Sequence, residues 1–143
     1  MKAISFLFVV AATSLWPGAA KAELPPFAYR DMQAKAPEAI EIEIETVTVK
    51  SSKQQHYELR SFVVQARVLS VQRTATGLAP GKPIEIRYEQ RNYFEPITGA
   101  SEVPAVKEHE KLPAFLSRAN GQSYYTPAAG GYTFHRLPRA ITW

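Results

Sequence analysis

The feature that most constrains the fold is a run of alternating residues, IEIEIETVTV, from Ile40 to Val49. Alternation of apolar and polar side chains is typical of a half-buried β-strand, because successive side chains point to opposite faces of the sheet. The alternation changes phase after Ile44, since the next apolar residues, Val47 and Val49, are odd-numbered. A β-bulge near Glu45 would absorb this change. The pattern therefore predicts a strand with a strong local bend, as found in small barrels.

Further segments along the chain have the composition of strands. The longest, Tyr57–Gln72, lacks glycine and proline and is rich in β-branched residues, which favours a strand over the alternative, a helix. The alternation of apolar residues in this segment also shifts by one position, so a second bend is expected near Leu69 and Ser70. The turn sequence GLAPGKP, at Gly77–Pro83, joins it to the next strand as a hairpin. The other predicted strands are Ile84–Gln90, Leu112–Leu116, Ser123–Thr126 and Tyr132–His135.

The segments between these strands are polar or contain proline. Lys50–His56 is predicted to be a loop, and the irregular segment Asn92–Glu110 could include a helical turn after Pro104. Tyr29–Lys35 is expected to form one or two helical turns before Pro37 stops them. The chain is thus predicted to be all-β, with five or six strands and short helical turns. The bends favour a closed or nearly closed barrel, because closure removes exposed strand edges.

The first 22 residues have the three parts of a secretory signal peptide. Lys2 supplies the positive start, Ala3–Trp16 is an apolar run, and Ala20-Lys21-Ala22 matches the A-x-A cleavage pattern. The apolar run is shorter than the roughly 20 residues that a membrane-spanning helix needs. We therefore predict cleavage before Glu23, a periplasmic or secreted protein, and no transmembrane anchor after cleavage.

Composition limits what the remaining chain can do. Removing 22 of the 143 residues leaves 121, enough for one domain with its own core. The predicted leader contains Lys2 and Lys21, so the net charge falls from +4 to +2, and this small charge argues against a nucleic-acid partner. The absence of cysteine excludes disulfides, a thiol nucleophile and thiolate metal ligands. The predicted divisions are a signal peptide at 1–22, a proline-rich segment at 23–38, a barrel at 39–136 and a tail at 137–143.

Several of these motifs occur together in one known family. They are a V-x-A-x-V strand, a GL-x-PG turn and an I-x-I-x-Y strand within Val63–Tyr88, an AFL strand within Leu112–Leu116, and a glycine-rich turn before an aromatic residue within Tyr124–Phe134. The combination resembles the OB-fold barrel of netrin-like modules, found in tissue inhibitors of metalloproteinases and in small exported bacterial proteins. The resemblance implies an OB-like barrel over Ile40–Phe134. It does not extend to the inhibitor mechanism, which needs an N-terminal cysteine, whereas this chain is expected to begin at Glu23.

Residue types that catalysis needs are sparse or unfavourably spaced. The tightest group with metal-binding side chains is Glu108-His109-Glu110, but adjacent side chains diverge on a strand or a helix. Asp31 is the only aspartate, and the chain has no G-x-S-x-G sequence, phosphate-binding loop or dinucleotide motif. We therefore predict no catalytic residue, no metal site and no cofactor.

The strongest candidates for binding are Arg91, Tyr93 and Phe94, at the start of the long irregular segment. Long loops on a rigid barrel commonly carry binding residues. The extended, proline-rich stretch Pro25–Phe27 is a second candidate docking element. The leading hypothesis is a non-enzymatic module that binds another periplasmic or envelope protein.

Two other functions are alternatives. A small-ligand or glycan-binding barrel would use aromatic side chains such as Tyr124, Tyr125 and Tyr132 to stack on a sugar. An unrecognised hydrolase or metal enzyme is the third hypothesis.

Overall fold

The computed structural model describes residues 23–99 and 101–138. The predicted signal peptide and residues 139–143 of the predicted tail lie outside the described residues. Among the described residues, no helix is both long enough and apolar enough to cross a membrane. The helix is α1 (Pro26–Lys35), and the strands are β1 (Glu38–Lys53), β2 (Tyr57–Arg73), β3 (Pro83–Tyr93), β4 (Lys111–Ser117) and β5 (Thr126–Pro127).

The five strands form one sheet that almost closes on itself. Their order is β3-β2-β1-β4-β5, and each neighbouring pair is antiparallel. Tyr125, just before β5, joins the two ends of the sheet through a parallel bridge to Ile86 of β3. The Tyr125 N–H donates to Glu85 and the Arg87 N–H donates to Tyr125, at 2.8 and 2.9 Å. This arrangement confirms the predicted fold class, a mainly β protein with five strands in a nearly closed barrel.

Bulges on the first two strands supply the curvature that closure needs. The pairing of β1 with β2 passes from Ile44 opposite Ala66 to Thr46 opposite Gln65, so Glu45 is the extra residue of a bulge. On β2 the pairing skips Leu69, because Ser70 and Val68 face consecutive residues of β1. Both predicted bends are confirmed.

Inward-facing side chains of β1, β2 and β3 fill the barrel. Ile42, Ile44, Val64 and Ile86 are fully buried, and Phe134 of the C-terminal segment closes one side of the core. Burial of this kind stabilises by about 1.5–3 kcal/mol for each large aliphatic side chain. The alternation in the sequence therefore identified the core-facing residues correctly.

One buried side chain at the end of the barrel is charged. The Glu38 carboxylate is fully buried, and its Oε1 accepts from the backbone N–H groups of Ala75 and Thr76 at 3.2 and 3.1 Å. These bonds fix the connection between β2 and β3 over the end of the barrel. The Tyr125 hydroxyl, 2.6 Å from the Thr76 hydroxyl, adds a second bond to the same connection.

Helix α1 packs outside the barrel against the C-terminal segment. Tyr29 and Gln33 are one turn apart and buried, Tyr29 lies 4.5 Å from the Tyr132 ring, and the Gln33 amide donates to the Tyr132 carbonyl oxygen at 2.9 Å. Residue 131 of this C-terminal segment lies against the loop at Ser101, where a Cβ would come within 2.4 Å of the Ser101 Cβ, so the close approach requires glycine. The helix begins three residues earlier than predicted, at Pro26, whose fixed φ suits the first helical turn.

Some local predictions are wrong. The predicted loop Lys50–His56 is strand as far as Lys53, because a strand exposed on both faces can be polar throughout. Tyr132–His135, predicted as a strand, is not one: Tyr132 ends a 3-10 turn that begins at Gly130, and the next three residues continue as a turn. Pro104–Glu110 contains a turn and no helix. The predicted strand Ser123–Thr126 is displaced to Thr126–Pro127.

Candidate functional site

The first three strands extend beyond the barrel. β1 pairs with β4 only from Glu38 to Glu43, whereas its pairing with β2 continues as far as Lys53. Past the bulge, therefore, β1, β2 and β3 continue as a three-stranded sheet to which the described residues add no fourth strand. We call this part the arm and define it as Thr48–Lys53, Tyr57–Ser61 and Glu89–Tyr93, neighbouring stretches of the three strands in which no side chain is buried.

The outer edge of β1 along the arm is open. The Val47 N–H donates to the Glu108 carboxylate at 3.4 Å, so it points away from β2. Because alternate residues of a strand direct their N–H and C=O groups to the same side, those of Val49 and Ser51 also face this edge. Among the described residues they have no hydrogen-bond partner there, and all side chains from Thr48 to Lys53 are exposed. We call the segment Thr48–Lys53 the open edge.

The open edge is basic. Lys50 and Lys53 are its only charged residues. Lysine on an exposed strand edge disfavours pairing between identical edges, because like charges would come together. The same charges attract an extended segment that carries carboxylates.

Aromatic and cationic side chains gather on the outer face at the end of the arm. Tyr57 and Tyr93 are cross-strand partners with ring centroids 5.3 Å apart, and the Arg91 guanidinium lies 5.8 Å from the Tyr57 ring. The structure thus brings together two predicted binding residues, Arg91 and Tyr93, and adds Tyr57. Sequence analysis missed Tyr57 because its partner on β3 lies 36 positions away, and only the hairpin register pairs them.

The third predicted binding residue lies on the other face. Phe94 follows Tyr93 directly, so the alternation of side chains directs it to the inner face, where the Lys53 ammonium lies 5.8 Å from its ring. Phe94 is 53% exposed, and Ile97 beyond it is 59% exposed. The end of the arm therefore presents apolar surface on both faces, next to the open edge.

A charged group marks the base of the arm. The Arg87 guanidinium donates to the Glu85 carboxylate at 2.5 Å and lies 4.4 Å from the Tyr124 ring. The hydrogen bond from Arg87 lowers the pKa of the Glu85 carboxyl below its ordinary value. Glu85 is thus held as a carboxylate that is already paired with Arg87, which makes it a poor candidate for a general acid.

The Glu108-His109-Glu110 group serves to hold a turn. Glu108 accepts from Val47, and the Glu110 carboxylate accepts from the Lys107 N–H at 3.1 Å. Within residues 23–99 and 101–138, no three histidine or acidic side chains are grouped so that they could hold a metal ion.

The three tyrosines considered for sugar stacking do not form one platform. Tyr125 is buried in the core, and Tyr132 packs against Tyr29 of α1. Of the three, only Tyr124 lies on the outer face beside the arm, where Arg87 already covers its ring.

Comparison with known proteins gives no relative on which to base a function. No protein-family model, no curated protein and no solved structure matches the chain. The resemblance to netrin-like modules therefore stays a prediction.

Proposed function

We propose that the protein is an exported, non-enzymatic binding module whose arm docks an extended segment of another envelope protein. The observation that carries the proposal is the open edge, where the N–H and C=O groups of Val49 and Ser51 have no partner among the described residues. An added strand would satisfy these groups, as in other complexes formed by strand addition.

The surroundings of the open edge supply specificity. Side chains of an added strand would alternate between the two faces of the arm. On the inner face they would meet Val49, which is 45% exposed, and Phe94. On the outer face they would meet the Tyr57–Tyr93 pair. Lys50 and Lys53 favour a partner segment with acidic residues.

Proline substitution at the open edge tests the docking mode. Ser51→Pro removes an N–H that faces the open edge and leaves the ladder to β2 unchanged, because proline is tolerated on an edge strand. Ser51→Thr is the matched control, since it keeps the N–H and favours a strand. The tagged full chain and both variants would be recovered after export from the cells that make the protein, and co-purifying proteins would be quantified by mass spectrometry.

We expect a partner that is recovered near stoichiometrically with the parent and with Ser51→Thr. Recovery with Ser51→Pro should be at least about tenfold lower, because the added strand loses the donor at residue 51 and meets the proline ring in its place. Both variants should melt at the parent temperature. Equal recovery with all three proteins would show that the open edge does not bind the partner.

The exported state has its own test. The intact mass of the protein recovered outside the cytoplasm should correspond to a chain that begins at Glu23. A mass that includes residues 1–22 would contradict cleavage at this site.

A further inference from the structure

A second concave surface lies on the opposite side of the molecule, between α1 and the outer surface of the barrel. It has a volume of about 320 Å³, and its charged lining residues are Arg30, Arg73 and Arg136. Its walls are largely apolar, with Phe115 of β4 and Leu137 of the C-terminal segment among them. We call it the arginine cavity. It involves no residue of the arm.

Two of the three arginines are fixed by the protein. The Arg73 Nε and Nη2 atoms donate to the carbonyl oxygens of Ala36 and Gln33 at the end of α1, each at 2.8 Å. The Arg136 Nη2 donates to the Glu41 carboxylate at 2.8 Å, and its guanidinium lies 5.9 Å from the Phe115 ring. The two groups are therefore held in position at the cavity before any ligand arrives.

Arg30 is different because its guanidinium is only partly satisfied. Its Nε is buried and has no hydrogen-bond partner among the described residues, and the side chain forms no ion pair with them. This Nε–H is closed to solvent, so a ligand in the cavity would bond to the Nη groups of Arg30, and an anion is the strongest acceptor for a guanidinium.

The charges around the arginine cavity do not balance. Arg73 is bound only to neutral carbonyl groups, Arg136 is paired with one carboxylate, and Arg30 has none. Among the described residues, Glu41 is the one carboxylate that forms an ion pair with any of the three guanidinium groups. Walls of low polarity strengthen the attraction of this excess positive charge for an anion.

We propose that the arginine cavity binds a small oxyanion, a phosphate or a carboxylate, attached to a compact apolar group. Arg30 donates to the oxyanion, Arg73 and Arg136 supply the positive field, and the apolar group lies against Phe115. The volume is at the lower end of the range of small-molecule sites, which fits a ligand about as large as one substituted ring. This site is independent of the proposed function of the arm.

The test is a titration of the ¹⁵N-labelled full chain, followed by NMR of the arginine Nε–H groups at low salt. The probes are phenyl phosphate, benzoate, inorganic phosphate and, as a neutral control, benzyl alcohol. We expect saturable shifts of the Arg30 Nε–H signal with phenyl phosphate or benzoate and a Kd below about 1 mM. Inorganic phosphate should bind more weakly, and benzyl alcohol should leave the signal unchanged. The tighter of phenyl phosphate and benzoate identifies the oxyanion.

Variants assign the binding to Arg30. Arg30→Gln, followed through the Arg73 and Arg136 Nε–H signals that remain at the cavity, should weaken the tighter probe by about tenfold or more, because one charge-assisted hydrogen bond is lost. Arg30→Lys keeps the charge and provides a second measurement if the glutamine variant folds poorly. Arg60→Gln, on the arm, is the matched control and should bind as the parent does. Absence of a saturable shift with both ring-bearing anions would overturn the proposal, as would equal affinity of the parent and both Arg30 variants.

Discussion

The barrel and the arm are built from the same three strands but differ in what covers them. In the barrel, inward-facing Ile42 and Ile44 of β1 are fully buried in a core that also contains Leu116 of β4 and Phe134 of the C-terminal segment. In the arm, Val49 lies beyond the bulge on the inner face of the same strand and is 45% exposed. An alternating pattern therefore identifies which side chains share a face, and the neighbouring elements decide whether that face forms a core or a binding surface.

This difference has an energetic consequence. Stability should depend on the barrel, where side chains leave water completely, and binding should depend on the arm, where apolar groups and backbone donors remain exposed. Equal substitutions in the two regions should therefore have unequal effects, which makes the comparison testable.

The largest expected contrast is between two truncations on β1. Ile42→Ala removes a fully buried side chain and should lower the free energy of unfolding by about 2–5 kcal/mol. Val49→Ala should change it by less than about 0.5 kcal/mol, as is usual for exposed positions. Urea denaturation of the parent and both variants measures the two values. A similar loss of unfolding free energy for both variants would mean that the arm has a core of its own and does not differ from the barrel.

The next contrast is between two glutamates. Glu38→Ala should cost about 1–3 kcal/mol, because the N–H groups of Ala75 and Thr76 lose their buried acceptor. Glu89→Ala, on the outer face of the arm, should be nearly neutral because Glu89 is exposed.

Glu38→Gln serves as the control for the buried carboxylate. Its amide oxygen can still accept from both N–H groups, so most of the stability should return. Thermal or urea melts measure all three variants. If the glutamine and alanine variants lost the same free energy, the hydrogen bonds to the connection between β2 and β3 would not be the source of the effect.

A smaller effect is expected where the arm joins the barrel. Tyr88 stacks on Phe62 at 4.7 Å, its hydroxyl donates to the Pro104 carbonyl oxygen at 2.9 Å, and burial raises its pKa to about 12. The folded protein therefore keeps this proton at a pH where the unfolded chain has lost it. The resulting stability is complete below about pH 10 and is lost as the pH rises towards 12, with a total of about 1–2 kcal/mol after allowance for solvent screening.

Tyr88→Phe isolates this contribution, because the other tyrosines titrate in both proteins. Urea denaturation between pH 9 and pH 11 should show a steeper fall in stability for the parent than for the variant. If the stability of the parent and of the variant fell in parallel with pH, the Tyr88 hydroxyl would be open to water. The exposed arm would then include Tyr88.

The sequence allowed prediction of the parts of the fold that depend on local pattern. The alternation around Ile42 and its phase change at Glu45 identified the inward face and the bulge, since both follow from the two-residue period of a strand. The pairing of Tyr57 with Tyr93 depends on long-range register and could not be predicted. The same holds for the arginine cavity, whose lining residues Arg30 and Arg136 are more than 100 positions apart in the chain.

The smallest expected effect concerns the turn just before β4, which contacts β1 next to the point where the arm begins. His109 has a φ of +69°, and its N–H donates to the Ile44 carbonyl oxygen at 2.7 Å, just before the bulge. A left-handed backbone conformation costs a residue with a Cβ about 1–2 kcal/mol. Glycine avoids this cost, but part of the gain is lost because an unfolded chain with glycine has more conformational entropy. His109→Gly should therefore raise the free energy of unfolding by about 0.5–1 kcal/mol, whereas His109→Ala, which keeps the Cβ, should give no gain.

Because this turn holds β1 at the point where β4 leaves it, the gain should protect the backbone amide of Ile44 from hydrogen exchange and leave that of Val49 unchanged. Equal protection at both positions would show that the barrel and the arm open as one unit.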